Sequence, residues 1–185
     1  SKLLLRICLE LMKSAELLEA AVVAVRAASF ARLLGDSVAQ QRVLDRIDDL
    51  VLADDAAGEL PVALRTRLQL LCIEQRFWEG ARMDDVLGQL THLEKELAAD
   101  DHVAREMVRS SRFVLLAYTG RLKDAAANKP PDEPSPDINL EWVRAPARAI
   151  GALILQQHGM IEAAIRTAED ARTLAARMGY VQAAG

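Results

Sequence analysis

Hydrophobic positions along this chain recur at intervals of three and four, the spacing that lines one face of an α-helix. Residues 82–98 carry Val86, Leu87, Leu90, Leu93 and Leu97 as one stripe, and the following helix carries Met107, Val108, Val114, Leu115 and Tyr118. The last stripe, in 160–178, is Ile161, Ala164, Ile165, Ala168, Ala171, Leu174 and Ala175. Residues 62–79 have two apolar faces: Leu64, Leu68, Leu71, Cys72 and Trp78 on one, Leu70, Ile73 and Phe77 on the other. Two apolar faces predict a helix held between neighbours. Further helices are predicted at 15–34 (Leu18, Ala21, Val22, Val25, Ser29) and 37–53 (Val43, Ile47, Leu50, Val51), with a short start at Leu122, Ala125 and Ala126. Residues 2–13 are apolar on nearly every side; they either stop near Ser14, an N-cap residue type, or run on into the next helix. No segment sustains the period of two that a half-buried strand needs, so the predicted class is all-α.

The breaks between stripes have their own chemistry. Gly80, Gly120 and Gly159 each end one helical pattern and start another, at intervals of 40 and 39 residues. Glycine after a helix end takes the left-handed conformation that reverses the chain. Gly35-Asp36 is predicted to end its helix in the same way, Asp54–Pro61 to form a turn-rich linker with Pro61 at a helix start, and Asp100 or Asp101 to cap the next helix. The acidic residues of 94–98 are expected to favour that same N-terminus. Residues 128–138 hold four prolines between Pro130 and Pro136 and are predicted to be an extended loop. A last hairpin is predicted from 139–157 and 160–178, with Pro146 kinking or starting its first helix.

A repeat of about 40 residues suggests stacked helical hairpins, each burying its apolar side on its neighbours. The last hairpin resembles a tetratricopeptide repeat: Ala152 is the small residue inside the first helix, and Ile161, Ala164 and Ala171 fall at the second helix's packing positions. Leu122 and Ala125 fit the same scheme after Gly120, whereas Arg82 and Asp85 occupy those positions after Gly80, and the period exceeds the usual ~34 residues. The helix ends Ala27–Asp36 and Glu169–Gly179 resemble degenerate tetratricopeptide-like regions of large bacterial ATP-dependent transcriptional regulators of the MalT/LuxR type. That resemblance implies a sensor arm, with an ATPase domain and a DNA-binding domain elsewhere in a longer chain. No GxxxxGK[ST] pattern occurs in this sequence.

Length and composition narrow the picture. The 185 residues suit one domain or a stretch of solenoid, here 1–185. The chain starts at Ser1 rather than Met and neither end reads as a polar cap, so a fragment of something longer is expected. Of 23 basic residues 18 are Arg, which with the abundant Ala points to a GC-rich bacterial genome. A net charge of −4 offers no general attraction to nucleic acid. Cys8 and Cys72, without CxxC spacing, are expected to be buried thiols in a reducing cytoplasm. The apolar start holds Arg6 and Glu10 and is too short for a membrane span.

Candidate chemistry is sparse. His102 and Glu106, four apart beside Asp101, have a spacing that suits a metal; a capped helix start with a surface histidine is preferred. Ser110-Ser111 lacks the surroundings of a nucleophile. Arg105, Arg109 and Arg112 recur at helical spacing, as do Arg144 and Arg148 two helices later. On equivalent helices they would line one concave groove for an anionic partner, with Trp142 and the proline loop at its rim; the alternative is two solvated faces paired with nearby carboxylates. Trp78 is expected in hairpin packing, or else as a gate to a groove. Together these residues point to all-α antiparallel hairpins stacked as a tetratricopeptide-like right-handed superhelix. The expected function is a non-catalytic, cytoplasmic sensor arm binding a protein partner or small effector, without cofactor, metal, membrane or direct nucleic-acid contact. A free-standing protein–protein adaptor and a small-molecule-binding helical bundle are the alternatives; an enzyme comes after both.

Overall fold

The computed structural model describes residues 17–33, 37–52, 60–131, 133 and 135–177. Among them are eight helices and no strand: α1 (Leu17–Leu33), α2 (Ser37–Leu52), α3 (Val62–Trp78), α4 (Met83–Glu96), α5 (His102–Tyr118), α6 (Leu122–Ala126), α7 (Ile138–Gln157) and α8 (Ile161–Arg177). Each predicted helix within the described residues is present, with ends within two residues of those expected. The stretch 2–13, Cys8, the Ser14 choice, Gly35-Asp36 and most of the Asp54–Pro61 linker lie outside the described residues. No described helix is long and apolar enough to cross a membrane.

The chain divides into two compact units, Ser1–Leu93 and Glu94–Gly185. In the first, α1, α2 and α3 pack on one another. Their core is Ala20, Ala21, Ala24, Val25, Ala27 and Ala28 of α1 with Val43, Leu44, Leu60, Leu64, Leu68 and Leu71. Alanines facing a neighbour let two backbones approach closely, so α1 buries this small-residue side and leaves Leu18 and Val22 at the surface, 51% and 37% exposed. That revises the expected face, in which those two residues shared a stripe with Ala21 and Val25. The side chains of Ile47, Leu50 and Val51 are outside the described set. Cys72 is half-buried, packed against this core, rather than fully buried. Leu64, Leu68, Leu70, Leu71 and Ile73 bury both apolar faces of α3. Trp78 does not join them: it is 44% exposed, edge-on to Phe77 at 4.9 Å. Arg76 donates to Gln89 Oε1 at 3.1 Å, tying α3 to α4, whose Val86, Leu90 and Leu93 are buried.

In the second unit α7 packs on α5 and α8, and α6 on α5. Met107, Val108, Phe113, Leu115 and Leu116 of α5, Val143, Ala147 and Ala152 of α7, and Ala164, Ala171 and Leu174 of α8 are buried. Tyr118, expected on the α5 stripe, is 59% exposed. Pro146 sits inside α7, which runs through it rather than starting there. Its ring is exposed, so the carbonyl that loses a helical donor can be served by solvent.

The three glycine turns share one geometry. Gly80, Gly120 and Gly159 have φ of 93°, 75° and 74°. In each, the glycine N–H donates three residues back (to Phe77, Ala117 and Gln156) and the next N–H five back (Ala81 to Arg76, Arg121 to Leu116, Met160 to Leu155). These are Schellman motifs, in which the reversed backbone satisfies carbonyls that the helix end would leave open. Pro61 stands at the start of α3 as expected, as its N-cap, its carbonyl accepting from Leu64 and Arg65. Asp101 is the N-cap of α5, but its carboxylate turns back to accept the Ala98 N–H at 3.1 Å.

Candidate binding surface

The arginines singled out in the sequence fall into two groups. On α5, Arg105 donates through Nε and Nη2 to the carbonyls of Ala98 and Leu97, at 3.0 and 2.9 Å. Those carbonyls follow the end of α4, where the helix presents partial negative charge and a cation is favoured. Arg112 donates to Glu94 at 2.8 Å and to Asn128 Oδ1 at 3.4 Å. Arg109 lies 3.7 Å from the other oxygen of Glu94, with 61% of its side chain exposed. Glu94, expected to favour the N-terminus of α5, is instead held between two of that helix's arginines. This face of α5 braces the α4–α5 connection and leaves Arg109 as its outward cation.

On α7, Arg144 and Arg148 are only 4% and 9% exposed. Arg144 donates twice to Glu106 of α5, to Glu141 Oε1 at 3.0 Å and to the Glu133 carbonyl at 2.8 Å. Arg148 is 3.3 Å from Glu141 Oε2 and donates to the Glu133 carbonyl at 3.4 Å. Glu141 Oε1 also accepts the Ser135 N–H at 2.8 Å. Two arginines and two carboxylates thus balance in charge, which is the condition for burying them without a large penalty. The cluster grips the proline loop at Glu133 and Ser135. The loop's end is then ordered by Ser135 Oγ accepting from Asp137 N and by Asp137 Oδ1 accepting from Leu140 N.

The two stripes therefore do not open together onto one groove. Arg105, Arg109 and Arg112 face the α4–α5 connection, Glu106 beside them faces α7, and Arg144 and Arg148 are occupied by the chain's own carboxylates. The reading of arginines paired with nearby Asp and Glu describes them better, although Arg144 and Arg148 are buried rather than solvated. The side chain of Trp142 lies outside the described residues. Glu106 is turned to Arg144, and His102 is exposed. Ser110 and Ser111 are buried in α5. Glu141 was not singled out in the sequence, and Glu94 and Glu106 were read in other roles rather than as the arginines' partners. The spacing of Glu141 to Arg144, three apart on a helix, was a signal for one pair; nothing local marks Glu106, 38 positions from Arg144. No protein-family model, curated protein or solved structure matches the chain.

Proposed function

We propose that this chain is a non-catalytic binding scaffold of helical hairpins stacked in a tetratricopeptide-like manner, and that it serves as the sensing arm of a larger cytoplasmic regulator of transcription. One observation carries the scaffold reading: three glycine turns with the same hydrogen bonding recur 40 and 39 residues apart. A repeated turn implies a repeated hairpin, and repeated hairpins offer extended surfaces to partners. The resemblance of the helix ends to regulator arms supports the finer role. On this reading a partner or effector shifts the packing of neighbouring hairpins and so biases the attached domains. Arg109 and the clamped proline loop are the features of the second unit best placed to meet a partner.

The test is an in-frame deletion of residues 60–177 from the chromosomal gene, with transcripts compared before and after and again on complementation. A defined set of transcripts that changes and is restored supports the regulator arm. An unchanged transcript profile overturns that role and leaves the adaptor reading.

A further inference from the structure

Arg144, Arg148 and Glu141 hold the proline loop through its backbone at Glu133 and Ser135. The Glu133 carbonyl accepts from Arg144 at 2.8 Å and from Arg148 at 3.4 Å, and the Ser135 N–H donates to Glu141 Oε1 at 2.8 Å. The residue between them in sequence is Pro134, which has no N–H to place. The side chains of Pro131, Glu133 and Pro136 are exposed. A grip on one carbonyl and on the N–H two residues later reads an extended backbone, and main-chain contacts of this kind accept many sequences. The gripping groups keep their charge balance without the loop: Arg144 retains Glu106 and Glu141, and Arg148 retains Glu141 Oε2 at 3.3 Å. Pro130 is buried ahead of the gripped stretch, and Asp137 Oδ1 accepts from Leu140 N at the start of α7 behind it.

We propose that this stretch is a strap lying in a peptide site, and that an extended, proline-containing segment of a partner protein takes its place. The site is built by α5 and α7 and stays paired when the strap leaves. The strap is a stretch without helix or strand and with exposed side chains, the kind of segment that opens locally well before a whole unit unfolds. A segment offering a carbonyl, a proline and an N–H in the same order makes the same bonds, so the strap itself defines the chemistry of its replacement. Ser135 is tethered six residues from Glu141, which makes the strap a strong intramolecular competitor. A partner's apparent affinity is therefore reduced by the fraction of time that the site is open. This deepens the scaffold reading and is independent of the role in transcription.

Titration of the whole chain with a capped peptide of residues 129–138, followed by NMR at the backbone amides of α7, tests this. Ser135→Pro removes the strap's own N–H donor and leaves Glu141, Arg144 and Arg148 intact. The peptide should bind this variant at least about tenfold more tightly than the original chain, the size expected when the competitor loses one hydrogen bond to a buried carboxylate. The same peptide methylated at the Ser135 nitrogen should bind the variant at least about tenfold more weakly. Equal binding to both chains, no binding to the variant at millimolar peptide, or indifference to the methyl group would overturn the proposal. In the original chain, with no substitution made, the Ser135 amide should exchange at least about a hundredfold faster than those of Val143 and Ala147. Exchange at the rate of those helix amides would overturn it as well. Failure here leaves the regulator role standing, and an unchanged transcript profile leaves the strap standing.

Discussion

Arg144 and Glu141, three residues apart on α7, meet at 3.0 Å with both side chains 5% exposed, and between them they hold the backbone of the proline loop at Glu133 and Ser135. A buried ion pair of this kind contributes little net stability compared with a well-packed apolar pair. Breaking it from one side is costly, because the remaining charge stays in a poor solvent.

Arg144→Met should therefore destabilise the chain by about 3–5 kcal/mol. It leaves Glu141 and Glu106 with one buried arginine fewer, and the Glu133 carbonyl with only the longer bond from Arg148. Urea denaturation checks the size, and amide exchange at Ser135 should accelerate. A loss below that of an ordinary surface change would show that Arg148 alone balances both carboxylates.

Gly159 sits at φ 74°, and a Cβ built there meets nothing within 4 Å. The cost of a side chain is thus purely conformational. Gly159→Ala should lose about 1–2 kcal/mol, Gly159→Val more, and Gly159→Asn least, since Asn tolerates the left-handed region. Equal losses for Ala and Asn would place the strain elsewhere.

Ser110 Oγ and Thr66 Oγ1 are buried without a hydrogen-bond partner, in residues that are fully enclosed. A hydroxyl in that position keeps its desolvation penalty and gains no bond. Ser110→Ala and Thr66→Val should each be neutral or stabilising by up to about 1 kcal/mol, seen as an unchanged or raised Tm. A clear drop in Tm would mean that the hydroxyl is satisfied in solution.

Arg105→Ala removes two bonds to the carbonyls of Leu97 and Ala98 and should cost about 1–2 kcal/mol. The effect should be local: amide exchange rises around residues 97–101, while the Gly159 hairpin keeps its protection. Loss of protection across α7 and α8 as well would show that the α4–α5 connection supports the whole second unit.

What the amino-acid order determined by itself is the series of helices and the turns between them. Val86, Leu90, Leu93 and Leu97 line one face at a period of 3.6 wherever that face points. A glycine allows positive φ through the absence of its own Cβ. Both are properties of residues within a turn or two of each other, so α3 through α8 and the turns at Gly80, Gly120 and Gly159 could be read directly. The tertiary structure decided which of several apolar lines is buried. Ala20, Ala21 and Ala24 of α1 and Ala164 and Ala171 of α8 are enclosed while Leu18, Val22, Ile161 and Ile165 stay at the surface, because neighbouring backbones come closest where side chains are smallest. It also decided the fate of the arginines. Periodicity places Arg144 on a face but is silent on the carboxylate opposite, and Glu106 reaches it across 38 residues of chain only once α5 and α7 have packed. A charge on a helix seeks whatever partner packing delivers, so an arginine stripe legible as an open anion site became, after folding, an internal brace.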